Sequence, residues 1–85
     1  MTNTYQIYLI SDSTGETLDR IFIAIKAQFK NIDYKIHTCS FTRTENQIYK
    51  ILSEAEKHSN SIILYSIVDS NLAKHLANIS NDKKI

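Results

Sequence analysis

Residues 5–22 read YQIYLI-SDSTG-ETLDRIF and contain a change of period. Tyr5 to Ile10 is a short aromatic and β-branched run, which signals a strand, and it stops at a turn-rich cluster, Ser11, Asp12, Ser13, Thr14 and Gly15. Beyond the cluster, Leu18, Ile21, Phe22, Ile25 and Phe29 fall at i, i+3, i+4, i+7 and i+11, the continuous apolar face of a helix. Ser13 with Glu16 three residues later fits a capping box, so the helix is predicted to start at Ser13.

The same strand–loop–helix order recurs twice. Asn31-Ile32-Asp33 breaks the first helix, and Tyr34 to Phe41 (YKIHTCSF) reads as a second strand whose mixed alternation suits a sheet edge. Thr44 with Gln47 is another capping-box candidate, followed by a helix with Ile48, Ile51, Leu52 and Ala55 inward. Ser61 to Val68 (SIILYSIV) is the most apolar run, and its lack of polar alternation predicts a strand buried on both faces. Asp69 or Ser70 can cap a third helix, with Leu72, Leu76 and Ile79 inward and Asn81-Asp82 at its end.

Strand starts at residues 5, 34 and 61 match the length of a βαβ unit. Alternating strands and helices predict an α/β fold: three layers, a parallel sheet of about three strands in the order 2-1-3, and helices on both faces. Lys83-Lys84-Ile85 sits where the period calls for a fourth strand, so residues 1–85 are expected to be the first part of a larger α/β domain.

Composition narrows the function classes. The 85 residues carry a formal charge of +1, so no field favours nucleic acid or an anionic membrane. One cysteine cannot form an internal disulfide, and no run approaches a membrane span or a secretory signal, so a soluble cytoplasmic protein is the expectation. One glycine is too few for either a Walker-type phosphate loop or a dinucleotide fingerprint.

In a parallel sheet, ligands bind beyond the carboxyl ends of the strands, where strand order reverses. That edge gathers Ser11, Asp12, Ser13, Thr14 and Gly15 after the first strand, Thr42, Arg43 and Thr44 after the second, and Ser66, Asp69 and Ser70 after the third. A helix N-terminus favours an anion, Ser13 and Thr14 add hydroxyl donors, Gly15 permits close approach, and Arg43 offers a forked cationic contact. Asp12, Ser13, Thr14, Gly15 and Arg43 are therefore the candidate anion-binding or partner-binding residues. Asp12 runs against a bare phosphate, and Ser13 read alone is equally a helix cap. No metal site is expected: His37 and Cys39 share a strand face, but two ligands do not make a zinc centre. Cys39 reads as an ordinary packed thiol, and the five tyrosines as packing residues with solvated hydroxyls.

Three segments together resemble the bacterial pyruvate, phosphate dikinase regulatory proteins. They are Leu9-Ile10-Ser11-Asp12-Ser13-Thr14-Gly15-Glu16-Thr17-Leu18 followed by Ala27-Gln28-Phe29, then Arg43-Thr44-Glu45-Asn46-Gln47, then Leu64-Tyr65-Ser66-Ile67-Val68-Asp69 with Leu72 and Leu76. The Ser13-Thr14-Gly15-Glu16-Thr17 run resembles the dikinase branch more than the related regulators of phosphoenolpyruvate synthase. The resemblance implies a bifunctional serine/threonine kinase and phosphorylase. It would use ADP to phosphorylate a threonine of the dikinase, and inorganic phosphate to remove that group as pyrophosphate. The family's phosphate-binding loop, of the Gly-x-Ser-Arg-x-x-Lys-Thr-Pro type, matches nothing in residues 1–85. No nucleotide-binding, metal or catalytic residue is therefore assigned, and the isolated chain is expected to be inactive. The implied partner is the dikinase, or the synthase, with homo-oligomerisation left open. The alternative is a noncatalytic α/β module presenting its strand-edge loop to a protein or an anion.

Overall fold

The computed structural model describes residues 4–29 and 32–83. The element order is β1 (Tyr5–Ser11), α1 (Glu16–Lys26) running into a 3₁₀ turn (Ala27–Phe29), β2 (Tyr34–Cys39), α2 (Glu45–Glu56), β3 (Ser61–Ser66) and α3 (Ser70–Asp82). The strands form a parallel sheet in the order β2-β1-β3, as the βαβ pattern predicts. Tyr5 pairs with Tyr34 and Ile10 with Cys39 on one side of β1; on the other, Gln6 pairs with Ser61 and Ser11 with Ser66.

Alternation along β1 builds two cores. Ile7 and Leu9 point to α1 and pack with Leu18 and Phe22, flanked by Ile25, Tyr34, Ile62 and Leu64. Tyr8 and Ile10 point the other way, against Ile48, Leu52 and Ala55 of α2 and Leu72 and Leu76 of α3. Helices thus cover both faces, one on the first and two on the second. Phe22 meets Tyr34 edge to face at 5.5 Å between ring centroids, which fixes how α1 lies on β2.

The capping box at Thr44 is present in full. The Thr44 hydroxyl accepts the Gln47 N–H at 3.1 Å, while Gln47 Oε1 accepts the Thr44 N–H at 3.0 Å. Asp69 caps α3 by accepting the Leu72 N–H at 3.0 Å.

Several expectations are corrected. The Ser13–Glu16 capping box does not form, and α1 starts at Glu16 with Gly15 as its N-cap. Ser13 is already engaged in the sheet edge: its N–H donates to Ser11 Oγ at 3.1 Å and its carbonyl accepts the Phe41 N–H at 2.9 Å. The chain then turns into the helix through Gly15 at φ +86°, a left-handed conformation that favours glycine. The second strand stops at Cys39 rather than Phe41, because Phe41 at φ +56° turns the backbone away. The third stops at Ser66.

The strand buried on both faces is β1, not β3. Ile7 to Ser11 are all buried, whereas β3 is an edge strand of half-buried residues with Tyr65 exposed. Ile21, expected in the core, is 46% exposed, because α1 rests on the sheet through Leu18 and Phe22 alone among its buried residues. Tyr8 departs from the solvated-hydroxyl expectation: its Oη is buried with no hydrogen-bond partner among the described residues. Lys83 caps the end of α3, while Asn31 and the expected fourth-strand residues Lys84 and Ile85 lie outside the described residues.

Burial pushes the Tyr8 hydroxyl above its ordinary value, with Glu54 and Cys39 adding to the effect, and burial likewise raises the Cys39 thiol. Both groups hold their protons more tightly folded than unfolded. Their contribution to stability is complete below the ordinary values of 9.0 and 10.0 and is lost as pH rises through them. Denaturant midpoints are expected to be flat from pH 7 to 8 and to fall beyond about pH 9. Cys39→Ala should lose the Cys39 part of that decline and keep the part of the Tyr8 shift that burial and Glu54 cause.

Leu64 packs against the α1-side core while Lys57 caps the exposed end of α2. Leu64→Asp is therefore expected to cost about 3 kcal/mol or more, since it desolvates an unpaired carboxylate. Lys57→Asp should stay within about 0.5 kcal/mol, a contrast that urea unfolding reads directly.

Candidate functional site

The three strands end together, and one residue, through its backbone and its side chain, ties the loops that leave them. Asp12 follows β1. Its N–H donates to the Ser66 carbonyl at 3.3 Å, and its carboxylate Oδ2 accepts the Val68 N–H at 2.8 Å, which anchors the loop after β3. Its backbone carbonyl accepts Arg43 Nε at 3.0 Å, which anchors the loop after β2. Asp12 thus reaches all three βα loops through groups that a short acidic residue supplies at one position.

The loop after β2 is bound to the loop after β1 in a second way. Thr42, which is buried, donates its N–H to the Ser11 carbonyl at 2.8 Å and its hydroxyl to the Cys39 carbonyl at 3.0 Å. Ser40 donates its hydroxyl to the Thr14 carbonyl at 3.0 Å.

Arg43 is held at three points. Its N–H donates to Gln47 Oε1 at 2.7 Å, so the capping box that starts α2 also sets the Arg43 backbone. Its guanidinium lies over the exposed Phe41 ring, 5.2 Å from the centroid, and donates Nε to Asp12. Its two terminal nitrogens make no hydrogen bond among the described residues, so the forked end of the side chain is available to an acceptor.

Between the loops after β2 and β3 lies an open cleft of about 720 Å³, lined by Asp12, Arg43, Glu45, Val68, Asp69, Asn71 and Leu72. Of the five residues singled out in the sequence, the structure places Asp12 and Arg43 in this cleft. Ser13, Thr14 and Gly15 lie on the other flank of Asp12, against the loop that carries Ser40 and Phe41. The first turn of α1 has no side-chain cap and carries Glu16 and Asp19.

The cleft brings three carboxylates (Asp12, Glu45 and Asp69) to one guanidinium. Two carboxylates have structural partners: Asp12 the Val68 N–H, and Asp69 the Leu72 N–H. Glu45 lies 3.3 Å from His75 Nδ1 on α3, across the cleft mouth. Arg43 alone offers positive charge within the lining, so an anion would be held there by one forked contact. Sequence reasoning had reached Asp69 as a loop residue but missed Glu45, Asn71 and Val68. Val68 is 88% exposed and was counted in a buried strand. Only the pairing of the loops brings these residues to one wall. Among the described residues no group of three or more His, Cys, Asp or Glu side chains is placed to hold a metal ion, and no helix there is long and apolar enough to cross a membrane.

Comparison with known proteins gives a consistent picture. A family model described as kinase/pyrophosphorylase matches residues 7–85. A protein of Pelagibacter ubique is 69% identical over the whole chain, and one of Geotalea uraniireducens is 44% identical over 94% of it. Both bear the provisional designation pyruvate, phosphate dikinase regulatory protein, as does a Geotalea daltonii protein 42% identical over 94% of the chain. The chain spans 31% of the first relative's length and 29% of the other two.

Thr44→Ala removes the acceptor of the Gln47 N–H and should lower stability by about 1 kcal/mol. Because Gln47 also holds the Arg43 backbone, the same change should broaden the Arg43 amide resonance, whereas Lys57→Ala should leave it unchanged.

Proposed function

The chain belongs to the kinase/pyrophosphorylase family, and on that basis we propose that it is the strand-edge portion of a bifunctional regulator of pyruvate, phosphate dikinase. In one direction the β-phosphoryl group of ADP passes to a threonine hydroxyl of the dikinase, leaving AMP and an inactive phosphoenzyme. In the other, inorganic phosphate attacks the phosphothreonine, pyrophosphate leaves, and the free threonine returns. The observation that carries this reading is the match over residues 7–85, joined to a relative 69% identical that bears the regulator's name.

The geometry supports a part in that chemistry for the cleft. Phosphoryl transfer is catalysed chiefly by positioning and by neutralising charge on the transferred group. Arg43 presents two unpartnered terminal nitrogens at a carboxyl-end cleft, oriented by Asp12 and Phe41. Its role is to hold a phosphate oxygen of the phosphoryl group, of inorganic phosphate or of the phosphothreonine. The role of Asp12 is to set the angle between the loops that carry Arg43 and Asp69. The adenine nucleotide is held by residues outside residues 1–85, which contain no glycine-rich loop with a lysine.

Two measurements test the reading. The 85-residue chain should neither bind ADP with micromolar affinity nor transfer label from β-labelled ADP to the dikinase. In a chimera that joins residues 1–85 to the remainder of the Pelagibacter ubique relative, transfer and phosphorolysis should both appear. Arg43→Ala should then reduce both by about 100-fold, as expected for losing one preorganised charge contact. Unchanged rates in both directions with Arg43→Ala and with Asp12→Ala would make the loop edge scaffold, and label transfer by the 85-residue chain alone would refute the division of labour.

A further inference from the structure

The two edges of the sheet differ in kind. The β2 edge carries Lys35 and His37, and His37 stacks on Tyr8 at 4.4 Å between ring centroids and bonds Gln6 at 2.7 Å. Charged edge residues are a usual defence against pairing with another strand. The β3 edge, Ser61-Ile62-Ile63-Leu64-Tyr65-Ser66, has no charge, no proline and no bulge. Beside it runs an apolar groove of about 400 Å³ between β3 and α3, whose lining includes Ile63, Tyr65, Leu76, Ala77 and Ser80. Ser80 Oγ is buried in that lining with no hydrogen-bond partner among the described residues. A buried hydroxyl without a partner is unfavourable, so the groove contains an unmet polar demand beside an apolar one.

The position of α3 says from which direction the groove is filled. The crossover β1–α1–β2 moves to one side of β1 with α1 on the first face. The crossover β2–α2–β3 moves the other way with α2 on the second face. For parallel strands, the face a helix occupies and the direction of travel together set the hand of the crossover, and that hand is nearly invariant. Helix α3 shares a core with α2 through Leu72, Leu76, Ile48 and Leu52, so it lies on the second face too. A strand that follows α3 with the same hand must continue in the direction of α2, and that direction leads past β3 to its open edge. A return to the β2 edge would need α3 on the face of α1.

We propose that the open edge of β3, with the groove under α3, is the seat of a fourth parallel strand, supplied in the longer relatives by chain that follows α3. Those relatives contain the length for it, since this chain spans 31% and 29% of two of them. The strand that fits alternates, with apolar side chains turned toward Tyr65 and Ala77 and a backbone or side-chain polar group within reach of Ser80 Oγ. This reading rests on the fold and is independent of the kinase assignment.

Amide hydrogen exchange by NMR tests it, on the 85-residue chain and on the full-length Pelagibacter ubique relative under the same conditions. An outward-facing amide of an edge strand exchanges without any unfolding, so global stability does not protect it. In the 85-residue chain, the outward amides of residues 61–66 should exchange near the unprotected rate. In the relative, the corresponding amides should slow by about 100-fold or more, with cross-strand contacts of a parallel ladder to a segment after α3. Fast exchange at those positions in the relative would overturn the proposal, as would an antiparallel ladder there. Protection that is present in the 85-residue chain and grows with its concentration would assign the edge to a second copy instead, and would overturn it as well.

Discussion

The loop edge depends on the three bonds of Asp12. Its amide and carboxylate are committed to Ser66 and Val68 at the end of β3, and its carbonyl to Arg43 in the loop after β2, so one residue joins the two flanking loops. A longer acid would move the carboxylate past the Val68 N–H, and an apolar residue would leave that N–H without its acceptor. The cleft wall that holds Arg43 opposite Asp69 is therefore a consequence of sheet pairing carried one residue further, to a side chain instead of a fourth rung of the ladder. Because β1 lies between the other two strands, the residue that follows it is the one placed to reach both flanking loops. An equivalent residue after β2 or β3 would reach only one.

Much of the architecture is legible in the sequence because it is local. Thr44 with Gln47 and Asp69 with Leu72 are contacts three residues apart, and the chain makes them wherever the helix begins. The pattern of Ser13 with Glu16 is locally as good, yet it fails. The Ser13 amide and carbonyl are taken by Ser11 and by Phe41, and the latter is 28 residues away in sequence. Periodicity carries no information about that competitor. The same limit explains β3. An apolar run signals that its residues tend to be covered, but not that its neighbours in the described fold cover only one flank.

The candidate site was legible in outline and not in its wall. Strand order and the rule for carboxyl ends bring Asp12 and Arg43 to one edge, and they meet there. Ser13, Thr14 and Gly15 are adjacent to Asp12 in sequence but lie across it in space, because Gly15 turns the chain into α1 on the far side. Glu45 and Asn71 reach the cleft from the first turns of two helices, so their place depends on how α2 and α3 pack together and not on any spacing within one segment. The acidic surroundings of Arg43 are likewise a property of the assembled edge, invisible in a chain whose formal charge is +1.

The central place of β1 also has a consequence in time. The strand is made before the other elements of this fold, and its alternating apolar residues supply both cores. One partner strand is complete at Cys39, and the other only at Ser66. At translation speeds of about 5–20 residues per second, Ile7 to Ile10 wait roughly three to twelve seconds between their own synthesis and that of the last residue of β3. Helix α1 can form meanwhile and shield one face. The other face stays open until α2 and α3 arrive, and the β3 flank of β1 has no strand to pair with until Ser66 is made, so one edge and one face of the central strand are the last to be covered.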